Sequence, residues 1–306
     1  MTEMIEVARS SVQTWESDQM GHMNVQFYVD KAGQGLAALA LRLGLGPRHA
    51  RAEGVRLFVR DHHVRFLREQ RPGAPFFIRA GILEVRDFGL RVYEEMVNTV
   101  SGEVAATFIA EVELLDEESR EMKPLPAKAK AAARALVVEL PLHGSPRGLD
   151  IYDPRPAPKL ADADGMGMVR TWQGEIDAAQ CDGQGFLTIR HFMGIVSDGI
   201  PNLLAQTSGA DRSRTPTVGG AALEYRFVYR RHPRAGDVLT LRSGLKNVGP
   251  KIYTWCHWLF DLETGAAIAT AEAVAIALDL TTRKAIAIPD EMRTNLESLV
   301  IEGLGV

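Results

Sequence analysis

From Val25 to Leu43, apolar or small residues recur at Tyr28, Ala32, Gly35, Leu36, Leu39 and Leu43, the spacing of a helix with one buried face. The run before it, Val7 to Trp15, reads as a strand. Gly33 and Gly35 each cost about 1 kcal/mol against alanine inside a helix, so they predict close backbone packing against a sheet. Gly44 and Gly46-Pro47 predict the stop. Val55 to Leu67, Ala74 to Arg86, Leu90 to Val100 and Val104 to Leu115 are rich in β-branched and aromatic residues. Turn residues separate them at Arg71-Pro72-Gly73, Asp87-Phe88-Gly89 and Ser101-Gly102-Glu103, which predicts consecutive antiparallel strands.

The same order then returns. Met168 to Ile176 is strand-like and Phe186 to Leu204 helix-like. Val218 to Tyr229, Val238 to Lys246, Ile252 to Phe260 and Ala266 to Leu280 are strand-like. Positions coincide at a shift of about 163: Asp18 and Gly21 fall on Asp182 and Gly185, Arg71 and Gly73 on Arg234 and Gly236, and Ser101-Gly102 on Thr264-Gly265. Pro126 with Leu136 to Glu139 falls on Pro289 with Leu299 to Glu302. Two copies of one α+β domain are expected, 1–140 and 165–306, joined by a Pro/Gly-rich linker, 141–164. Ala127 to Leu136 is alanine-rich and reads as a helix, and Pro201 is expected to kink or split the second long helix. Ile252 to Phe260 is apolar on both faces, which predicts cover by another sheet or subunit.

Composition adds bounds. With 46% hydrophobic and 24% charged residues the 306-residue chain has the balance of a soluble globular protein, and a net charge of -4 gives no footprint for nucleic acid or an anionic membrane. Arg226, Arg230, Arg231 and Arg234 form a short basic run that suits a phosphate-bearing ligand or a solvated face. No apolar run approaches the ~20 residues that span a bilayer. The two cysteines, Cys181 and Cys256, lie far apart and fit a reducing compartment. A cytoplasmic protein without signal peptide is expected.

The candidate chemistry lies at the first strand-to-helix turn, Asp18-Gln19-Met20-Gly21-His22-Met23-Asn24. A carboxylate, a glycine turn, an imidazole and an amide gather there at a helix N-terminus, a place suited to chemistry on a carbonyl. Asp18 also fits a plain N-cap, His22 and Asn24 fit residues that merely orient the turn, and Tyr28 fits the core as well as a ligand contact. The second copy keeps Asp182 and Gly185 but has Phe186 and Thr188 for the imidazole and amide. Asp198 is a carboxylate on a mostly apolar helix face, costly unless paired or used. His62 and His63 point to opposite faces of a strand and predict no metal site.

Strand, long helix and the Asp-x-x-Gly-His-x-Asn motif at the turn between them resemble the hotdog fold, within it the 4-hydroxybenzoyl-CoA thioesterase-like family. The whole looks like a double hotdog, two copies of a long central helix wrapped by an antiparallel sheet. The resemblance implies hydrolysis of an acyl thioester of coenzyme A or acyl carrier protein. Asp18 would be nucleophile or general base, and backbone N–H groups around Gly21 to Asn24 would polarise the carbonyl. Gly21, His22 and Asn24 complete the implied catalytic set, with Tyr28, Asp182 and Asp198 as substrate contacts. No cofactor is implied beyond the coenzyme A of the substrate, and a homodimer of double hotdogs is the expected assembly. A thioester needs a nucleophile and a place for charge on oxygen, and free N–H groups at a helix N-terminus supply the second. A hydratase using His22 with Asp198, and a non-catalytic acyl-CoA binding module, are the competing readings.

Overall fold

In the first strand, β1 (Ile5–Ser11), pairing stops short of Trp15 because Thr14–Glu16 winds into a 3-10 turn. Glu16 closes that turn, its Oε2 accepting the Gln13 N–H at 2.9 Å. The periodic segment forms α1 (Val25–Arg42), followed by α2 (Pro47–Glu53). Pro47, read above only as a stop signal, stands in the first turn of α2, where a missing N–H costs nothing. These coordinates come from a computed structural model that describes residues 3–208 and 218–306.

The chain divides into two compact units, Met1–Ser145 and Pro146–Val306. In the first, β2 (Val55–Phe66), β3 (Pro75–Val85), β4 (Gly89–Asn98) and β5 (Val104–Asp116) join β1 in the order β1-β3-β4-β5-β2, every pair antiparallel. α1 buries Tyr28, Ala32, Gly35 and Leu39. A Cβ at Gly35 would strike Oε1 of Glu94 on β4 and lie 3.2 Å from Val7 and 3.3 Å from Ile78, so the close packing expected of this glycine is present. Leu39, Leu43, Ile82, Val92 and Val112 form the core, each large aliphatic side chain contributing about 1.5–3 kcal/mol on burial. α3 (Ala127–Arg134) adds Ala129 and Ala133 to it.

The second unit repeats this plan. α4 (Leu160–Gly165) precedes β6 (Val169–Glu175), α5 (Ile189–Ser208), β7 (Val218–Tyr229), β8 (Val238–Val248), β9 (Ile252–Asp261) and β10 (Ala267–Asp279). The short β11 (Lys284–Ala285) and α6 (Asp290–Ser298) complete it. Its strands run β6-β8-β9-β10-β7, with β11 on β10. The glycines matched by sequence share one backbone state: φ is +76° and +82° at Gly21 and Gly185, +87° and +93° at Gly73 and Gly236, +70° and +68° at Gly102 and Gly265. Left-handed backbone is strongly disfavoured for other residues, which is why these positions stood out as a repeat.

Two expectations need correction. Pro201 lies inside α5 without splitting it. The stretch 141–164, expected as a linker, contains the boundary between the units, and each side of it packs on its own unit: His143 bonds Glu95 in the first, while the Gly148 N–H donates to Glu224 at 2.6 Å in the second. The face of β9 carrying Cys256, Trp258 and Phe260 is covered by the same unit's Leu160, Ala163, Met166, Ile301 and Leu304, not by another sheet.

Candidate active site

The motif folds as one tight turn. The Asp18 N–H donates to the His22 carbonyl at 2.9 Å, the Gly21 N–H to the Asp18 carbonyl at 3.0 Å, and Asp18 Oδ1 accepts the Met20 N–H at 2.8 Å. Gly21 supplies the positive φ that this reversal needs, with open space around its Cα. The turn is stitched to its surroundings by Met23 N–H to Gln70 carbonyl and Asn24 N–H to Glu16 carbonyl, both 2.8 Å. Asn24, not Asp18, caps α1: its side chain accepts the Gln26 N–H at 3.0 Å.

These bonds narrow the amides available to a ligand. Gly21, Met23 and Asn24 have their N–H groups committed within the protein, which leaves those of His22 and of Val25, the first helical residue, outside the turn's own bonds. The Val25 N–H lies at the positive end of the α1 dipole.

Asp18 Oδ2 faces His22 Nδ1 at 3.4 Å, and His22 Nε2 faces Glu69 at 3.6 Å, so the imidazole lies between two carboxylates. The Asp18 and His22 side chains are 17% and 22% exposed, enough to meet a ligand. Below them, Glu16 and Lys31 are both buried and pair at 2.6 Å, fixing the 3-10 turn to α1. Sequence reading missed this pair; its signal was a lysine amid the buried face of α1. Tyr28 is buried, its hydroxyl accepting the Gln70 N–H at 3.0 Å and donating to the Arg68 carbonyl at 3.3 Å. Burial raises its pKa. It anchors the loop after β2 and packs edge-on against Phe66.

The second unit builds the same turn from other side chains. Asp182 N–H meets the Phe186 carbonyl at 2.8 Å, Gly185 N–H the Asp182 carbonyl at 2.9 Å, and Leu187 N–H the Pro233 carbonyl at 2.9 Å. Asp182 Oδ1 accepts the N–H groups of Gln184 and Phe186 at 2.9 and 3.2 Å, and Phe186 stands where His22 stands in the first unit. Asp198 is exposed on α5 and not buried on an apolar face as expected, although partial desolvation still raises its pKa. Arg226 is buried in the core, donating to the Tyr152 carbonyl at 2.7 Å, and Arg234 stacks on Phe186, so the basic run is no single phosphate-binding cluster.

Among the described residues, no group of three His, Cys, Asp or Glu side chains is disposed to hold a metal. No helix among them is long and apolar enough to cross a membrane. A cavity of about 450 Å³ in the first unit is lined by Arg79, Glu95, Glu139 and His143, and none of its lining residues belongs to the motif turn.

A long helix against five antiparallel strands, with a carboxylate turn at the helix N-terminus, is a thioesterase fold of hotdog type. The chain belongs to the Thioesterase-like superfamily, whose family model it matches twice, over residues 12–133 and 176–296. Among solved structures, a putative oleoyl thioesterase from Lactobacillus plantarum is similar at 12% identity and TM-score 0.69, over 90% of this chain and 97% of that one. An acyl-ACP thioesterase from Bacteroides thetaiotaomicron aligns at 10% identity and TM-score 0.64, over 87% and 96%. A 12:0-ACP thioesterase from Umbellularia californica aligns at 12% identity and TM-score 0.64, over 88% and 96%. At such identities the likeness is one of fold. No curated protein sequence matches the chain.

Proposed function

We propose that the chain is a double hotdog that hydrolyses an acyl thioester of coenzyme A or of an acyl carrier protein, with its working site at Asp18. The observation that carries this reading is the contrast between the two copies. The aspartate, the glycine and backbone bonds suffice to build the turn around Asp182, yet the first copy adds His22 beside Asp18 and Glu69 on the far side of the imidazole. Polar groups that a turn does not need for folding are best accounted for by chemistry.

In this reading the thioester carbonyl oxygen sits against the N–H groups of His22 and Val25, where negative charge developing on oxygen is stabilised. Asp18 takes a proton from a water that attacks the carbonyl carbon, or attacks that carbon itself to give an acyl anhydride that water then cleaves, releasing the acid and restoring the carboxylate. The carbon–sulfur bond breaks, and the thiolate leaves without a strong acid because it is already a stable anion. His22 holds Asp18 Oδ2 in place while Met20 N–H holds Oδ1. Coenzyme A or carrier protein enters as part of the substrate, and two of the structural neighbours are acyl-ACP thioesterases. The test is a panel of acyl-CoA and acyl-carrier-protein thioesters, short, branched, aromatic, long and charged, assayed for free thiol. Release from at least one is expected; saturable binding with no thiol released from any would sink the reading.

A further inference from the structure

We propose that Trp15 is a substrate-contact residue whose indole packs on the pantetheine arm of the thioester, an inference that rests on the reading of Asp18 above. Trp15 is 75% exposed, in the middle of the 3-10 turn Thr14–Glu16, three residues before Asp18. An indole is one of the largest apolar surfaces a side chain offers, and leaving it in water gains the fold nothing. Nor is it loose: its neighbour Glu16 is 3% exposed, bonds the Gln13 N–H and pairs with Lys31 at 2.6 Å.

The second copy is the internal control. Its 3-10 turn Ala178–Gln180 is closed in the same way, Gln180 Oε1 accepting the Asp177 N–H at 2.9 Å, and Ala179 stands where Trp15 stands. The fold therefore does not ask for the indole. A thioester with its carbonyl at the start of α1 must lead its carrier outward, since neither a nucleotide nor a protein fits inside the unit. The first part of the carrier to pass the solvent side of Asp18 is the pantetheine arm, whose methyl and methylene groups suit an aromatic face. That arm is common to both carriers, so the contact serves either.

The experiment measures kcat/KM for thiol release from one acyl group, chosen from those the wild type cleaves, carried on coenzyme A, on pantetheine and on N-acetylcysteamine, which lacks most of the arm. Trp15→Ala is expected to lower kcat/KM about tenfold on the first two carriers, as for truncation of an aromatic contact, with little change on the third. Trp15→Phe should restore most of the loss, and the melting temperature should stay near the wild-type value because three quarters of the residue is in solvent. Equal loss on all three carriers, loss with coenzyme A alone, or no loss overturns the assignment. Indole fluorescence separates this from the hydrolase reading: pantetheine should shift the emission of the wild type and not of Trp15→Phe. That shift in a protein releasing no thiol from any ester upholds the contact and rejects the hydrolysis; no shift counts against the contact.

Discussion

Glu94 offers a test of the first unit's interior with a worked magnitude. It lies on β4 beneath α1, 1% exposed, with neither carboxyl oxygen hydrogen-bonded and Oε1 against Gly35. Desolvation raises its pKa well above 4.5. The folded chain therefore keeps a proton that the unfolded chain has released, and stability that is full below 4.5 is lost as pH rises toward the native pKa. One proton corresponds to about 1.4 kcal/mol per pH unit within that window. Glu94→Met keeps the length of the side chain and removes the titration. The unpartnered acid also costs about 1–3 kcal/mol at any pH, so the variant should be the more stable even in mild acid. Urea unfolding from pH 5 to pH 9 gives the comparison through midpoints at a common slope. The gain from Glu94→Met should grow by about 1.4 kcal/mol per pH unit above ~5.5 until the native pKa is passed. A gain that does not change with pH, or a variant less stable than wild type at pH 8, refutes the reasoning.

The matched position in the second unit carries the opposite charge logic. His257 is buried, with Nδ1 2.8 Å from the Ser243 hydroxyl, and burial pulls its pKa down to about 3. Its unfolded form gains a proton first, so stability of this unit should fall by about 1.4 kcal/mol per pH unit as pH drops below 6.5 toward 3, and His257→Gln should flatten that part of an acid-unfolding curve. Lys31→Met leaves the Glu16 carboxylate buried without its cation and should cost about 3–5 kcal/mol in denaturant unfolding. Changing both residues to apolar ones should recover much of that loss.

The strands and the two long helices were legible because turn glycines and side-chain periods mark them locally. Arg71-Pro72-Gly73 and its copy at Arg234 announced turns whose left-handed glycines only one residue type adopts freely. What escaped depended on partners distant in sequence. The Met23 and Asn24 N–H groups, expected to polarise a carbonyl, are committed to Gln70 and Glu16, and no local pattern encodes those bonds. Glu16 and Lys31 each look like surface residues until the turn of Thr14–Glu16 folds onto α1. Asp198 was read from its apolar surroundings on α5, yet it precedes the buried Gly199 by one position, and a rotation of about 100° per residue carries it to the exposed side. The Pro/Gly-rich stretch 141–164 looked like a linker because its composition is that of a loop. Its role as cover rests on single contacts such as Tyr152 hydroxyl to Glu272 at 2.5 Å.

Whether Asp18 does the chemistry is tested most directly by thiol release from the best acyl thioester, comparing Asp18→Asn with Asp182→Asn. Asparagine keeps an oxygen for the Met20 N–H in one turn and for the Gln184 and Phe186 N–H groups in the other, so both variants should fold. Asp18→Asn is expected to lose at least ~100-fold in kcat, as for a primary catalytic group, while Asp182→Asn stays near wild type. Equal turnover in wild type and Asp18→Asn, or a loss confined to Asp182→Asn, contradicts a working site at Asp18.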